Sequence, residues 1–156
     1  MNFISPTEGE LSFDQTFANV IKFVKDAPEA NYRLIIGSDS QQGKVADFVT
    51  TIIIYREGKG ARFYYRKEKI KPKPNLRQKI YHETLRSLQV AGQVREKLAE
   101  KPILDLNIEV HLDVGRNGKT RKLIKEVVGM VVGNGYEAKI KPLAYGASNV
   151  ADRYTK

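Results

Sequence analysis

The 156-residue chain contains no cysteine. This excludes disulfides, thiolate metal sites and cysteine nucleophiles, so a bound metal would have to sit on oxygen or imidazole. No apolar run approaches the ~20 residues that cross a bilayer, and the opening MNFISPTEGE lacks the basic and apolar segments of a signal peptide. The expectation is a cytoplasmic protein with no membrane partner. Acidic residues are also in short supply: 18 Asp and Glu stand against 27 Lys and Arg, a net charge of +9. Such an excess points to polyanionic partners, nucleic acid before anionic membrane. Repeats and low-complexity tracts are absent, and the length suits one domain over 1–156 with a real core.

What is present is unevenly placed. Basic residues crowd the stretch from Lys59 to Lys79, with only Glu68 opposing them. Arg62, Arg66, Lys67, Lys69 and Lys71 are candidate phosphate contacts, and Phe63, Tyr64 and Tyr65 interleave as stacking surfaces. The competing reading of such a run is a solvated surface.

Ser12 and Gln15 have capping-box spacing, and Phe13, Phe17, Val20, Ile21 and Val24 fall on one helical stripe, so the spacing predicts an N-terminal helix over about 12–26. Tyr32 to Ser40 reads as a short strand covered on both faces. Residues 45–55 and 61–69 are β-branched and aromatic, and Glu57-Gly58-Lys59-Gly60 between them signals a hairpin, so three strands form a meander. After the breaker KPKPN, a long helix runs from Leu76 to Leu98. A strand over Leu104–Val114, a helix over Lys119–Val132, a strand over Tyr136–Leu143 and a terminal helix capped by Ser148 complete the order. Right-handed crossovers place the fourth strand beside the first and the fifth outside it. The fold class is therefore α/β, a five-stranded mixed sheet in the order 3-2-1-4-5 with helices on both faces.

In this arrangement Asp39 ends the central strand, and Asp113 ends its parallel neighbour. Glu83 lies on the edge of the long helix's buried face, where an unpaired carboxylate is costly. Asp152 follows the last strand and leans toward the same strand ends. Converging carboxylates repel, and a hard divalent cation such as Mg²⁺ or Mn²⁺ relieves them. Two such ions support phosphodiester cleavage. Asp39, Glu83, Asp113 and Asp152 are thus the candidate catalytic and metal-binding residues, with Gly37, Ser38 and Ser40 expected to leave room for ions and water. The competing readings are a turn-capping role for Asp39 and a surface ion pair of Glu83 with Lys79 or Arg86. His111 reads as a core histidine and His82 as a helix-surface residue.

The placement of these acids resembles the ribonuclease H-like superfamily. "IGSDSQ", "HLDVGRNGKT" and "YGASNVADRY" resemble more closely the YkuK-type family of small bacterial ribonuclease H-like proteins. The resemblance runs from about residue 30 onward and implies metal-dependent nuclease chemistry with in-line attack by water. Three positions depart from the better-known members. Ser40 replaces the Gly that follows the first Asp in ribonuclease H proper, Gln41 stands where proofreading exonucleases carry Glu, and "LAYGASN" has Tyr145 and no His. These departures count against hybrid hydrolysis and proofreading and leave structure-selective endonuclease chemistry open.

"DVGRNGKT" ends like a phosphate-binding loop, but Asp113 occupies the position of its first Gly, where a carboxylate would face the phosphates. Nucleotide triphosphate hydrolysis therefore ranks below nuclease, while Arg116 and Lys119 remain candidates for holding a nucleic-acid phosphate. The alternative to a nuclease is a non-catalytic nucleic-acid-binding module on the same fold.

Overall fold

Ser12 caps the first helix as its spacing to Gln15 predicts. Its Oγ accepts from the Gln15 N–H at 3.1 Å, and Gln15 Oε1 accepts from the Ser12 N–H at 2.8 Å. In the computed structural model, which describes residues 1–41, 46–70 and 74–144, helix α1 (Phe13–Asp26) buries Phe17, Val20, Ile21, Phe23 and Val24. A hairpin that the sequence pattern does not predict precedes it, formed by β1 (Asn2–Ser5) and β2 (Gly9–Ser12). Its turn brings Gly9 to a φ of +78°, a conformation glycine adopts without strain.

The expected meander follows as β3 (Tyr32–Gln41), β4 (Ala46–Arg56) and β5 (Ala61–Ile70), paired antiparallel. The long helix is α2 (Leu76–Ala99), opened by a second capping box: Asn75 Oδ1 accepts from the Gln78 N–H at 2.9 Å and Gln78 Oε1 from the Asn75 N–H at 3.0 Å. Then come β6 (Ile108–His111), α3 (Ile124–Gly133) and β7 (Glu137–Lys139), with β6 parallel to both β3 and β7.

The sheet order is β2-β1-β5-β4-β3-β6-β7. The predicted order 3-2-1-4-5 is the segment β5-β4-β3-β6-β7. The count differs because the N-terminal hairpin adds two strands beyond β5, joined through the Ile4–Tyr65 pair. Several ends also move inward. Residues Pro102–Leu104 form a 3₁₀ turn, so β6 starts at Ile108, and a second 3₁₀ turn at Arg121–Leu123 delays α3. Leu112 and Val114 are buried although they lie past the end of β6, and their backbones still bond to the chain at and beyond β7: the Leu112 N–H donates to Lys139 O and Val114 O accepts from the Lys141 N–H, both at 2.9 Å.

One large core joins α1, α2 and α3 to the Leu34, Ile36, Ile52, Ile54 and Val110 face of the sheet. The opposite face carries a smaller cluster of Ile35, Val49, Ile53 and Tyr65, to which no helix contributes among the described residues. Among the described residues the helices pack on one face of the sheet, and the Ser148-capped helix predicted for the chain end lies outside the described residues. No helix among the described residues is long and apolar enough to cross a membrane.

Candidate functional site

Register brings the acids together. Ile36 pairs with Val110 and Gly37 with His111, so chain that continues two residues past β6 sets Asp113 level with Asp39. Glu83 comes from α2, whose buried stripe is apolar at Val90, Ala91 and Val94 and turns polar toward the site at Ser87, Thr84 and Glu83. Asp39, Glu83 and Asp113 each offer an oxygen, and these oxygens all lie within 4.8 Å of one another.

Ser40 and Ser38 fasten this end of β3 to α2. Ser40 Oγ donates to Glu83 Oε2 at 2.9 Å, while the Ser40 N–H donates to Asp39 Oδ1 at 2.8 Å. Ser87 Oγ donates to Ser38 Oγ at 3.0 Å, and Ser38 shares a 2.9 Å bond with Thr50. The serines therefore hold the acids in position, whereas the sequence pattern suggests only that they leave space.

Burial decides the electrostatics. Glu83 is 3% exposed, and burial lifts its carboxyl to about 8. Lys79 Nζ, 3.5 Å from Glu83 Oε2 and 3.6 Å from Asp113 Oδ2, opposes this shift, while the charges of Asp39 and Asp113 add to it. Burial and the charge of Asp113 raise Asp39 to about 6, against the Ser40 N–H, which favours the ionised form. Lys141 Nζ approaches Asp113 Oδ1 at 2.6 Å from the rim. Backbone pairing past β7, with the Lys141 N–H on Val114 O at 2.9 Å, brings it there. Gly115 keeps the approach open, since a Cβ would meet the Lys141 stem at 3.3 Å.

The donor set is all oxygen, as hard divalent cations require. Glu83 Oε1 is buried with no hydrogen-bond partner among the described residues, an orphan of the kind that a cation satisfies. The residues present fit a divalent ion held by Asp39, Glu83 and Asp113. Asp152 lies outside the described residues.

The basic candidates divide. Lys67 pairs in register with Val49, which pairs with Asp39, so Lys67 shares Asp39's face of the sheet. At ~4.8 Å per strand it stands roughly 10 Å away. Lys69 continues that exposed row opposite Asp47. Arg66 points to the other face and pairs with Glu68 at 3.5 Å. Arg62 sits at the far end of β5, its guanidinium 4.9 Å from the Phe23 ring centroid. Arg116 and Lys119 are exposed in the loop after Asp113, and Lys71 is outside the described residues.

His111 is a core residue, as expected. It is 2% exposed, and burial lowers its pKa. Its Nε2 lies 3.4 Å from Glu109 Oε1, a carboxylate that Arg33 grips through two bonds of 2.9 and 2.7 Å. His82 stacks edge-on against Phe48, with ring centroids 5.9 Å apart.

The chain as a whole is matched by known proteins. The Ribonuclease H-like family matches residues 15–156. The chain belongs to the ribonuclease H-like family. It is also 35% identical, over 166 residues, to "Uncharacterized protein YkuK" of Bacillus subtilis (strain 168), a match covering 99% of this chain and 96% of that protein. No solved structure gives a significant match. Two cations at the carboxylate cluster, Lys79 and Lys141, have no place in the sequence reading of the acids. Lys79 is visible there only as an i, i+4 partner of Glu83 on the helix surface. Lys141 is 28 positions from Asp113 and meets it through β6–β7 pairing, which no local pattern encodes.

Proposed function

We propose that the protein is a Mg²⁺- or Mn²⁺-dependent nuclease that cleaves phosphodiester bonds of nucleic acid, with Asp39, Glu83 and Asp113 holding the metal and Asp152 as a fourth ligand. The observation that carries this reading is Glu83, buried inside a carboxylate cluster with one oxygen orphaned. Asp39, Glu83 and Asp113 would hold a divalent cation whose chemistry there would be Lewis-acid polarisation of a phosphoryl oxygen and activation of water, with a second ion of use at the leaving oxygen.

The chain's own groups do the positioning. A strand end and two hydrogen bonds from Ser40 hold Asp39 and Glu83 in fixed relation. Lys67 and Lys69, on the Asp39 face, supply phosphate contacts along the approach, and Arg116 and Lys119 do so on the Asp113 side.

A second reading, a non-catalytic nucleic-acid-binding module, is favoured by one observation. Lys79 and Lys141 already pair with Asp113, so the cluster has cations of its own. Cleavage of branched, hybrid and single-stranded oligonucleotides in Mg²⁺ or Mn²⁺ separates the two. The nuclease reading expects metal-dependent products that Asp39→Asn reduces by orders of magnitude. Binding of the same substrates with no cleavage in either metal favours the module.

A further inference from the structure

Lys79 occupies the fourth position after the Asn75 cap, one helical turn before Glu83, so both side chains leave the same face of α2. Its ammonium lies 3.5 Å from Glu83 Oε2 and 3.6 Å from Asp113 Oδ2, and its side chain is only 12% exposed. The ammonium thus stands inside the cluster, between the two elements that supply those carboxylates. Lys141 differs: among the described carboxylates it reaches Asp113 alone, from a side chain that is 53% exposed.

We propose that Lys79 is the built-in counter-cation of the carboxylate cluster, and that binding of a divalent cation releases it to hold a phosphate of the nucleic acid. This rests on the reading of Asp39, Glu83 and Asp113 as a metal site. Shared carboxylates and like charge set the two cations in competition: Lys79 sits on Glu83 Oε2, one atom away from the orphaned Oε1. Glu83 and Asp113 offer ligands to the metal ion and to the ammonium alike, and two cations at neighbouring positions on the same carboxylates repel. The fixed partner stays, and the one on a flexible four-carbon stem moves. An ammonium pushed from its acids beside a reacting centre meets the next available anion, a substrate phosphate. Lysine suits this exchange because it binds as a compact point charge and needs no planar fork to be matched. The consequence is coupling: metal and nucleic acid bind with positive cooperativity, since the first frees a ligand for the second.

The test begins with calorimetric titration of Mn²⁺ into wild type, Lys79→Gln and Asp113→Asn. Removing the competing ammonium should tighten Mn²⁺ binding about tenfold, whereas Asp113→Asn should weaken it. Fluorescence anisotropy with the labelled oligonucleotides of the cleavage panel follows, in chelator and then in Ca²⁺. In chelator Lys79→Gln should bind like wild type. In Ca²⁺ it should bind several-fold more weakly, with the salt dependence of log K reduced by about one. Lys79→Met, which keeps the apolar stem, repeats both measurements should Gln unsettle the helix start. Unchanged or weaker Mn²⁺ affinity in both Lys79 variants overturns the counter-cation role while leaving the metal site standing. Equal loss of oligonucleotide binding in chelator and Ca²⁺ overturns the exchange. Absence of Mn²⁺ binding by wild type overturns the metal reading, and this inference with it.

Discussion

Glu83 is buried in a place that favours its protonated form, and Asp39 shares the tendency, so the metal-free site has a defined pH dependence. Both folded pKa values, about 8 and about 6, lie above those of the unfolded chain. The folded state therefore holds extra protons between roughly pH 4 and pH 8. That contribution to stability is fully present below the unfolded values and is lost as pH rises through the folded ones. Two other groups act oppositely: buried, neutral His111 and ionised, Arg33-bound Glu109 lose stabilisation as pH falls. Asp39→Asn isolates the cluster from them. It keeps the acceptor for the Ser40 N–H, removes one charge and lowers the repulsion on Glu83. In chelator the variant should be at least as stable as wild type near pH 8, by on the order of 1 kcal/mol, and the difference should shrink toward pH 5. Urea denaturation of both proteins at the two pH values measures it. A marked loss of stability in the variant at pH 8 would assign Asp39 to turn structure.

At the scale of elements, cap chemistry and glycine placement explain why much of the fold is legible in the sequence. The Ser12 cap, the β4–β5 hairpin with Gly58 and Gly60 at positive φ, and the long α2 are local signals that tertiary structure left in place. The β1–β2 hairpin is not legible, because its four-residue strands are too short for a period to stand out. The ends of β6 and β7 depart from expectation for another reason: pairing with neighbours sets them, and neighbours are remote in sequence. The acids of the site are legible for the same cause in reverse, since a strand-end Asp is a local feature, whereas the arrival of Lys141 depends on β6–β7 register. Asn75 with Gln78 is a capping pair that also fixes where Lys79 and Glu83 emerge. Asn75→Ala should lower stability by about 1 kcal/mol in urea denaturation. It should also weaken Mn²⁺ binding, because a frayed first turn loosens the start of the helix that carries Glu83. An unchanged metal affinity with the stability loss would show that the α2 site end is held by the Ser40–Glu83 and Ser87–Ser38 bonds to β3.

Across the whole molecule the net charge of +9 resolves into separate surfaces. The run from Lys59 to Lys79 is one stripe in sequence, but strand alternation sends its β5 members to opposite faces and opposite ends of the sheet. Arg62 packs over Phe23 far from the acids, and Arg66 is paired with Glu68, which Arg86 also approaches at 3.7 Å. Lys67 stands exposed in the cross-strand row that Asp39 ends, and Lys69 stands exposed on the same face in the next row, opposite Asp47. If nucleic acid is drawn to the carboxylate cluster, Lys67 and Lys69 lie on its way and the Arg62 end does not. Charge reversal of Lys67 and Lys69 together should therefore weaken binding to every oligonucleotide of the panel and reduce the salt dependence of log K by about two, one for each phosphate that is no longer neutralised. Arg62→Glu should leave both quantities unchanged at the same ionic strength. Anisotropy titrations over a salt series read the two variants side by side. Equal weakening from the two ends would mean that the basic run acts as diffuse charge, and that nucleic acid does not approach along the face carrying Asp39.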